Sequence, residues 1–325
     1  MKICVIKPKG NLIGPIPIDI ENMLSAHLLE LKGMADEVIE AGVEDVTSQQ
    51  LDSDFFLVYK ATDAISLINC GIKNYVFFIN EFNNTEDSHY ILNCKEAILN
   101  SAFSVCRSLD WFLIFQEEKL QRKLLCLSWG YTLNSSLMSV SRGKVKPSEI
   151  NFLCLGQNSK NGEDDLNYEL ANEFASKFGL SITFLNFGCE YFANTSYQFF
   201  SKNKNCRIEC SSPNLFESTE FLSKHDVILD LRSHNLEGLN TPYLNAMATG
   251  MPAISTIAKT FGDRDGAIYH CNTNLASITS AFQKVIENWD NSVKLSREFA
   301  IRRNWFEICK IIINFLHKIK NAKST

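Results

Sequence analysis

Glu237 and Gly238 lie on a polar loop, SHNLEGLN, between the apolar run VILDLR and a helix-like segment that begins near Thr241 and Pro242. Proline suits the first turn of a helix, where its missing N–H has no intrahelical partner, and Thr241 or Asn240 can cap such a turn. The free backbone N–H groups of a helix start bind phosphate, whereas a loop carboxylate suits hydroxyl groups as a hydrogen-bond acceptor. Phosphate and polyol held side by side indicate a nucleotide sugar as the ligand.

The elements around this loop alternate between strand-like and helix-like runs. INFLCLG, SITFLNFG, DVILDLR and PAISTI are strand-like, and DDLNYELANEFASKFG, FESTEFLSKHD and TPYLNAMATG are helix-like. Apolar runs this continuous are typical of strands buried on both faces of a parallel sheet. Ligands of such sheets bind beyond the carboxyl ends of the strands, which is where we expect the Glu237 loop.

The first half of the chain shows the same alternation. KICVIK is a strand-like run, followed by a loop with Gly10 and Gly14 and by a helix-like run over 20–33. DEVIEA, DFFLVYK, NYVFFIN, WFLIFQ and KLLCLS are interpreted as further strands. The polar segment 141–150, which contains Pro147, is interpreted as a linker. These patterns predict two α/β domains, over 1–145 and 146–305, with a ligand cleft between them.

Residues 226–256 resemble the C-terminal-domain motif of GT-B glycosyltransferases, especially the retaining family 4 type. The resemblance implies two Rossmann-like doubly wound domains that face each other across a cleft. It also implies that Glu237 holds the hydroxyls of the donor sugar. The family's second glutamate, which binds the nucleotide ribose, is replaced by Asn245, whose amide also forms hydrogen bonds with hydroxyls. The positions that match in register are Glu237, Gly238, Pro242, Ala246, Met247, Ala248, Gly250, Pro252 and Ile254.

Other segments resemble the same family more loosely. FLCLGQNSKNG resembles the strand and loop that carry an arginine and a lysine for the diphosphate; Lys160 matches the lysine and Gln157 stands at the arginine. PKGNLIGP, with Gly10 and Gly14, resembles the glycine loop that approaches the donor phosphates. Residues 300–316 resemble the region in which the chain crosses back, so a C-terminal helix over 306–325 is expected to pack on the first domain.

The resemblance implies transfer of a sugar, expected to be a hexose, from a UDP- or GDP-sugar to a hydroxyl group of a glycan or lipid-linked acceptor. We expect retention of configuration, a role in polysaccharide biosynthesis and no cofactor beyond the donor substrate. Lys160 and helix N-termini, rather than a metal ion, are expected to stabilise the leaving diphosphate. The candidate catalytic residues are Glu237 and Lys160, and the candidate donor-binding residues are Gly10, Gly14, Gln157, Gly238, Asn240, Thr241 and Asn245.

Other interpretations stay open at this level. A nucleotide-sugar epimerase uses the same kind of scaffold, and Asn245 and Gln157 are compatible with a catalytically weak nucleotide-sugar-binding module. Glu237 and Lys160 also suit plain solvated positions, and Gly10 and Gly14 suit ordinary turns.

Composition limits the partners and the compartment. The net charge of −5 provides no global attraction for nucleic acid. The 11 cysteines are scattered, which favours reduced thiols, and the N-terminus lacks an apolar leader, so we expect a cytoplasmic protein. Residues 291–325 hold eight Lys and Arg against two Glu, with apolar residues at helical spacing. This pattern suits a docked helix or, alternatively, a peripheral membrane contact near a lipid-linked acceptor.

Overall fold

The computed structural model of the chain forms two compact units, one from the described residues up to Tyr131 and from Asn304 onward, the other from those between. It describes residues 1–7, 28, 30–49, 52–79, 88–106, 109–127, 131, 133–155, 168–186, 203–210, 215, 218–231, 241–256 and 266–323.

A six-stranded, wholly parallel sheet organises the first unit, in the order β2-β1-β3-β4-β5-β6. The central strands are buried along their whole length, as the continuous apolar runs predict. The strands are β1 (Lys2–Lys7), β2 (Glu37–Gly42), β3 (Phe55–Val58), β4 (Tyr75–Phe78), β5 (Phe103–Cys106) and β6 (Leu124–Cys126). The helices between them are α1 (Val43–Gln49), α2 (Ala61–Asn69), α3 (Ser88–Asn100), α4 (Leu109–Ile114) and α5 (Glu118–Gln121).

The second unit repeats this plan, with the parallel order β12-β11-β10-β7-β8-β9. Its core is rich in aromatic rings, and Phe174 meets Phe282 edge to face at 5.6 Å. The strands are β7 (Asn151–Leu155), β8 (Ser181–Asn186), β9 (Cys206–Cys210), β10 (Val227–Asp230), β11 (Ala253–Ser255) and β12 (Ile268–His270). The helices are α6 (Ser135–Met138), α7 (Tyr168–Phe178), α8 (Thr219–Ser223), α9 (Thr241–Ala248), α10 (Leu275–Glu287) and α11 (Trp289–Ile301).

The last helix, α12 (Trp305–Lys323), belongs to the first unit. Its apolar stripe, which includes Ile308, Ile312 and Leu316, shares a core with residues of β1, β3, β4 and β5. At the start of α12 the backbone N–H of Trp305 donates to the Tyr131 carbonyl at 3.1 Å. The apolar spacing of this basic segment is therefore used for packing within the unit.

The predicted fold class is confirmed, because both sheets are parallel and helices alternate with the strands. One predicted strand was wrong: WFLIFQ contains most of α4, a helix. A short apolar run does not distinguish a strand from a buried helix. Here the neighbouring runs FSVC and LLC form the adjacent parallel strands β5 and β6, so the segment between them must serve as the crossover. Strand β5 itself was not predicted, nor were β9 and β12.

The chain passes into the second unit just after Tyr131. Residues 133–145, expected in the first domain, group with the second unit instead. The physical reason is a set of contacts from the predicted linker: the Arg142 guanidinium binds carbonyls of the second unit, and the Gly143 carbonyl accepts from the Trp289 indole at 3.0 Å.

Candidate functional site

The strand order of the second sheet reverses between β7 and β10, which are adjacent. A reversal of this kind leaves a crevice at the carboxyl ends of the two strands, the usual ligand site of an open α/β sheet. Strand β7 ends at Leu155 and β10 at Asp230, so the segments that carry the predicted donor contacts follow these two strands in the chain. The predicted residues Gln157, Lys160, Glu237, Gly238 and Asn240 lie outside the described residues.

The first sheet has a corresponding reversal at β1, which has β2 on one side and β3 on the other. The predicted glycine loop follows β1, which ends at Lys7. Gly10 and Gly14 lie outside the described residues.

Helix α9 follows β10 and begins at Thr241, with Pro242 in its first turn, as predicted. It is buried on every side: each residue from Tyr243 to Thr249 is at most 2 % exposed. The helix packs against α11 and α6. A helix enclosed in this way is held rigidly, which suits a helix whose start would orient a ligand.

Asn245 lies one turn after the start of α9 and is 2 % exposed. Its backbone carbonyl accepts from the Thr249 N–H at 3.3 Å, but its side-chain Oδ1 has no hydrogen-bond partner among the described residues. Buried polar atoms of native proteins nearly always have a partner, so an orphaned acceptor requires an explanation. A ligand hydroxyl at this position would supply the missing donor.

The carboxyl end of α9 explains the glycine of the sequence motif. Gly250 has φ +90°, a conformation that side chains rarely adopt, and its N–H donates to the Met247 carbonyl at 2.8 Å. A Cβ at this position would lie 2.9 Å from Cγ1 of Val293 on α11. Both the turn and the close approach of α11 therefore require glycine here.

Two arginines bind carbonyls at this end of α9: Arg142, whose side chain is 3% exposed, and the half-buried Arg297. Arg142 Nε donates to the Thr249 carbonyl at 2.7 Å, and its Nη2 donates to Thr249 Oγ1 at 2.7 Å and to the Leu222 carbonyl at 3.1 Å. Its Nη1 donates to the His225 carbonyl. Arg297 donates from Nη2 to the Val140 carbonyl and, at 3.4 Å, to the Thr249 carbonyl. Positive charge at a helix carboxyl end is stabilising.

Burial determines the protonation of the groups around Arg142. Burial lowers the pKa of Arg142 to about 10, and it raises the pKa of Asp226, 3.8 Å away, from its ordinary value. Burial also lowers the pKa of His225 to about 4, although Nδ1 of the ring lies 3.1 Å from the Phe221 carbonyl. His225 is thus neutral near pH 7 and packs against Phe221, consistent with a structural role.

Asp230, a fully buried carboxylate at the carboxyl end of β10, was not among the predicted site residues. Ser255 Oγ donates to Asp230 Oδ2 at 3.3 Å, and the Thr256 N–H donates to the Asp230 carbonyl at 3.0 Å. Burial is the main cause of the raised pKa of Cys154 and of Cys271, and the Asp230 carboxylate raises both pKa values further. The sequence signal that could have identified Asp230 was an acidic residue at the end of an apolar strand, here a strand at the reversal of the strand order (the switch point of the sheet).

Two features are absent from the described part of the chain. It contains no group of three or more His, Cys, Asp and Glu side chains placed to hold a metal ion. The sequence also contains two segments that resemble acidic metal-binding triplets, EDD at 163–165 and DRD at 263–265, and both lie outside the described residues. None of the described helices combines the length and the apolar character needed to cross a bilayer.

Neither a family model nor a curated protein matches the sequence. Solved structures do match along nearly the whole chain. A glycosyltransferase from Rickettsia africae ESF-5 superposes with a TM-score of 0.67 at 10% identity, covering 98% of both chains. The chain has the GT-B fold. The apo form of the lipopolysaccharide outer core galactosyltransferase WaaB gives 0.65 at 10% identity, over 98% of this chain and 99% of that one.

The GT-B fold alone does not determine the reaction. A UDP-GlcNAc 2-epimerase from Neisseria meningitidis, bound to UDP-GlcNAc, matches over 98% of this chain and 100% of its own, with a TM-score of 0.50 and 14% identity. Because transferases and an epimerase both share the fold, the function must be argued from the site.

Proposed function

We propose that this protein is a glycosyltransferase that uses a nucleotide-sugar donor, bound at the carboxyl edge of the second sheet. The observation that carries the proposal is the buried, orphaned Oδ1 of Asn245 on α9, the helix that follows a switch-point strand. The position of Asn245 in the motif is that of the ribose-binding residue. An acceptor oxygen that the fold buries without a described protein donor suits a ribose hydroxyl.

In this proposal the donor diphosphate binds near the start of α9, where backbone N–H groups and the helix dipole favour negative charge. Lys160 adds a positive charge for the leaving diphosphate, with Gln157, Gly238, Asn240, Thr241 and the loop of Gly10 and Gly14 completing the contacts. Glu237 accepts hydrogen bonds from the sugar hydroxyls. Stabilisation of the charge that develops on the leaving group is the main catalytic effect available to such a site.

The acceptor side is supported by the resemblance rather than by a described contact. We propose a hydroxyl group of a glycan or of a lipid-linked glycan as acceptor, transfer of a hexose with retention, and a role in polysaccharide biosynthesis. A peripheral membrane contact through α12 would use its exposed Lys310 and Lys318 beside Ile311 and Phe315, each 39% exposed. Such a contact is electrostatic, because the apolar stripe of α12 lies in the core.

Calorimetric titration with UDP and with GDP, each in EDTA and again in Mg²⁺, tests the proposal directly. We expect one of the two diphosphates to bind in EDTA as well as in Mg²⁺, and the matching nucleotide sugars to be hydrolysed slowly. Binding of neither diphosphate would contradict the proposal. Binding that depends on Mg²⁺ would contradict its metal-independent form and point to an acidic cation site.

An epimerase is distinguished by its product. Incubation with a UDP-sugar alone, followed by proton NMR, should show slow release of free sugar and UDP and no epimeric UDP-sugar. Accumulation of the epimer without any acceptor would favour the epimerase. A catalytically weak binding module would bind the diphosphate but show no hydrolysis, no epimerisation and no transfer of sugar to any alkyl glycoside in a panel of acceptors.

Glu237→Gln tests the sugar contact. Removal of one charged hydrogen-bonding group from a transition-state site costs about 10²–10³-fold in rate, so we expect a loss of transfer or hydrolysis in this range. The affinity for the free nucleoside diphosphate should stay within about twofold, because it lacks the donor sugar whose hydroxyls Glu237 would hold. Glu220→Gln, on an exposed surface of α8, is the matched control. A parallel loss of diphosphate affinity in Glu237→Gln would contradict a sugar-specific role.

A further inference from the structure

Cys106 and Cys126 end adjacent strands of the first sheet. Cys106 is the last residue of β5 and Cys126 the last residue of β6, and the two are direct partners in the parallel register. Just beyond them, the Leu127 N–H donates to the Cys106 carbonyl at 2.9 Å. The backbone therefore holds these two cysteines side by side at the carboxyl edge of the sheet.

The geometry of neighbouring strands is suitable for a disulfide. Adjacent strands lie about 4.8 Å apart, and a disulfide spans Cα atoms that are about 4.4–6.8 Å apart. Directly paired residues place their side chains on the same face of the sheet, so the two thiols are neighbours. The sulfurs can join without a large movement of the backbone.

The two thiols differ in access. Cys106 is fully buried, whereas Cys126 is exposed on β6, which is the edge strand of the described sheet. The hydrogen bond from the neighbouring thiol and burial both raise the pKa of Cys106. A dissolved oxidant therefore meets Cys126 first, and Cys106 is the protonated neighbour behind it.

We propose that Cys106 and Cys126 form a redox modification site, at which a hydroperoxide converts the two thiols into an intramolecular disulfide. The Cys126 thiolate attacks the peroxide, the O–O bond breaks, and a sulfenic acid forms while the remaining oxygen leaves as water or an alcohol. The Cys106 sulfur then attacks the Cys126 sulfur, the S–O bond breaks, and water leaves with the Cys106 proton. The two thiols lose two electrons in total, and the peroxide gains them.

The disulfide would link the last residue of β6 covalently to the last residue of β5. Strand β6 has only three residues, and β5 is its one neighbour in the described sheet. Short edge strands open easily, so amide exchange in residues 124–127 should be faster than in the central strands. Formation of the disulfide should slow exchange in this segment.

Mass spectrometry of the whole protein after titration with hydrogen peroxide tests the site. The expected product is a single crosslinked peptide pair that contains Cys106 and Cys126, with the loss of two hydrogens and full reversal by dithiothreitol. In Cys126→Ser, the crosslink should be missing and Cys106 should remain open to alkylation after denaturation. In Cys106→Ser, Cys126 should stop at the sulfenic acid, which dimedone traps, or proceed to the sulfinic acid.

Cys70, the other exposed cysteine among the described residues, provides the control, because it follows α2 and has no cysteine in register. Cys70→Ser should leave the crosslink unchanged. The proposal is overturned if wild-type Cys126 is oxidised to the sulfinic acid without a crosslink, or if Cys126 joins a second molecule instead. Neither result bears on the proposed glycosyl transfer, on which this inference does not rest.

Discussion

The two ends of helix α9 differ in how their polar groups are satisfied. At the carboxyl end, the Thr249 carbonyl accepts from both Arg142 and Arg297, and Thr249 Oγ1 donates to the Ala246 carbonyl. One turn from the amino end, Oδ1 of Asn245 is buried and has no partner among the described residues. At the carboxyl end the carbonyl and the hydroxyl of Thr249 are therefore satisfied, although Nε of Arg297 is a buried donor without a partner among the described residues. Near the amino end, the unpartnered Oδ1 of Asn245 is an acceptor whose energetic cost a ligand hydroxyl would relieve.

An orphaned polar atom is not a binding site by itself. Within the described residues, Ser296 Oγ on α11 and the Tyr131 hydroxyl are also buried without a partner. What distinguishes Asn245 is its location on the helix that follows β10, a strand at the switch point. Position in the topology, rather than the missing hydrogen bond, makes Asn245 a functional candidate.

The largest expected effect comes from removing the Arg142 hydrogen bonds at the carboxyl end of α9. Arg142→Met removes the donors for three buried carbonyls and the charge partner of Asp226. Loss of one side of a buried, charged network costs about 3–5 kcal/mol, so we expect the second unit to lose free energy of unfolding in this range. Urea denaturation followed by tryptophan fluorescence measures the change.

Two variants control this measurement. Arg122→Met removes an arginine that is 76% exposed and pairs with Glu118 in an i,i+4 contact, so it should change stability by less than about 0.5 kcal/mol. Arg142→Lys keeps the charge but not the planar fork, and should recover only part of the loss. Equal stability of Arg142→Met and wild type would show that these carbonyls are satisfied by other donors.

The same end of α9 should respond to pH through His225. Its folded pKa is about 4, against an ordinary 6.5, so between these values the unfolded chain binds a proton that the folded protein does not. The contribution of the neutral His225 ring to the free energy of unfolding is fully present above pH 6.5 and is lost as the pH falls through about 4, a change of roughly 3 kcal/mol. The raised pKa of Asp226 acts in the opposite sense at the acid end of this window.

Urea denaturation of wild type and His225→Gln at several pH values isolates the histidine, because Asp226 is present in both. The difference between their free energies of unfolding should shrink as the pH falls from 6.5 to 4. Proton NMR should place the His225 titration near pH 4. A titration near 6.5 would mean that the ring is solvated and that this end of α9 is less tightly closed.

The local pattern of the chain predicted β10, α9 and β11 because each is a continuous apolar or capped run whose period is visible in the sequence. The same criterion failed at WFLIFQ, because the adjacent parallel strands β5 and β6 require this segment to form the crossover between them. Arg142 looked like a linker residue because its partners lie 80 to 107 positions away. Long-range contacts of a buried polar side chain leave no local pattern, so this part required the structure.

A negative charge introduced at Asn245, near the amino end of α9, tests whether this end binds the ligand. If Asn245 meets a ribose, Asn245→Glu replaces a neutral acceptor, worth about 1 kcal/mol, by a charged one worth about 1.5–3 kcal/mol. We expect nucleotide diphosphate to bind about tenfold more tightly, as measured by calorimetry. The free protein should become less stable, because the new carboxylate is buried without a charge partner. Unchanged or weaker binding would place the ribose elsewhere.

The smallest expected effect comes from removing the unpartnered Oδ1 of Asn245. Asn245→Leu deletes a buried acceptor and puts an apolar side chain with the same branching in its place, so the free energy of unfolding should rise by about 1 kcal/mol. The same variant should bind nucleotide diphosphate about fivefold more weakly, the equivalent of one neutral hydrogen bond of about 1 kcal/mol. Ser296→Ala is the matched control: it also removes a buried orphan in the second unit and should stabilise the protein, but leave nucleotide binding unchanged. If Asn245→Leu destabilises the free protein, Oδ1 has a donor in the folded chain and the two ends of α9 do not differ. If it stabilises the protein and binding is unaffected, as in Ser296→Ala, the orphan is a packing cost and Asn245 does not meet the nucleotide.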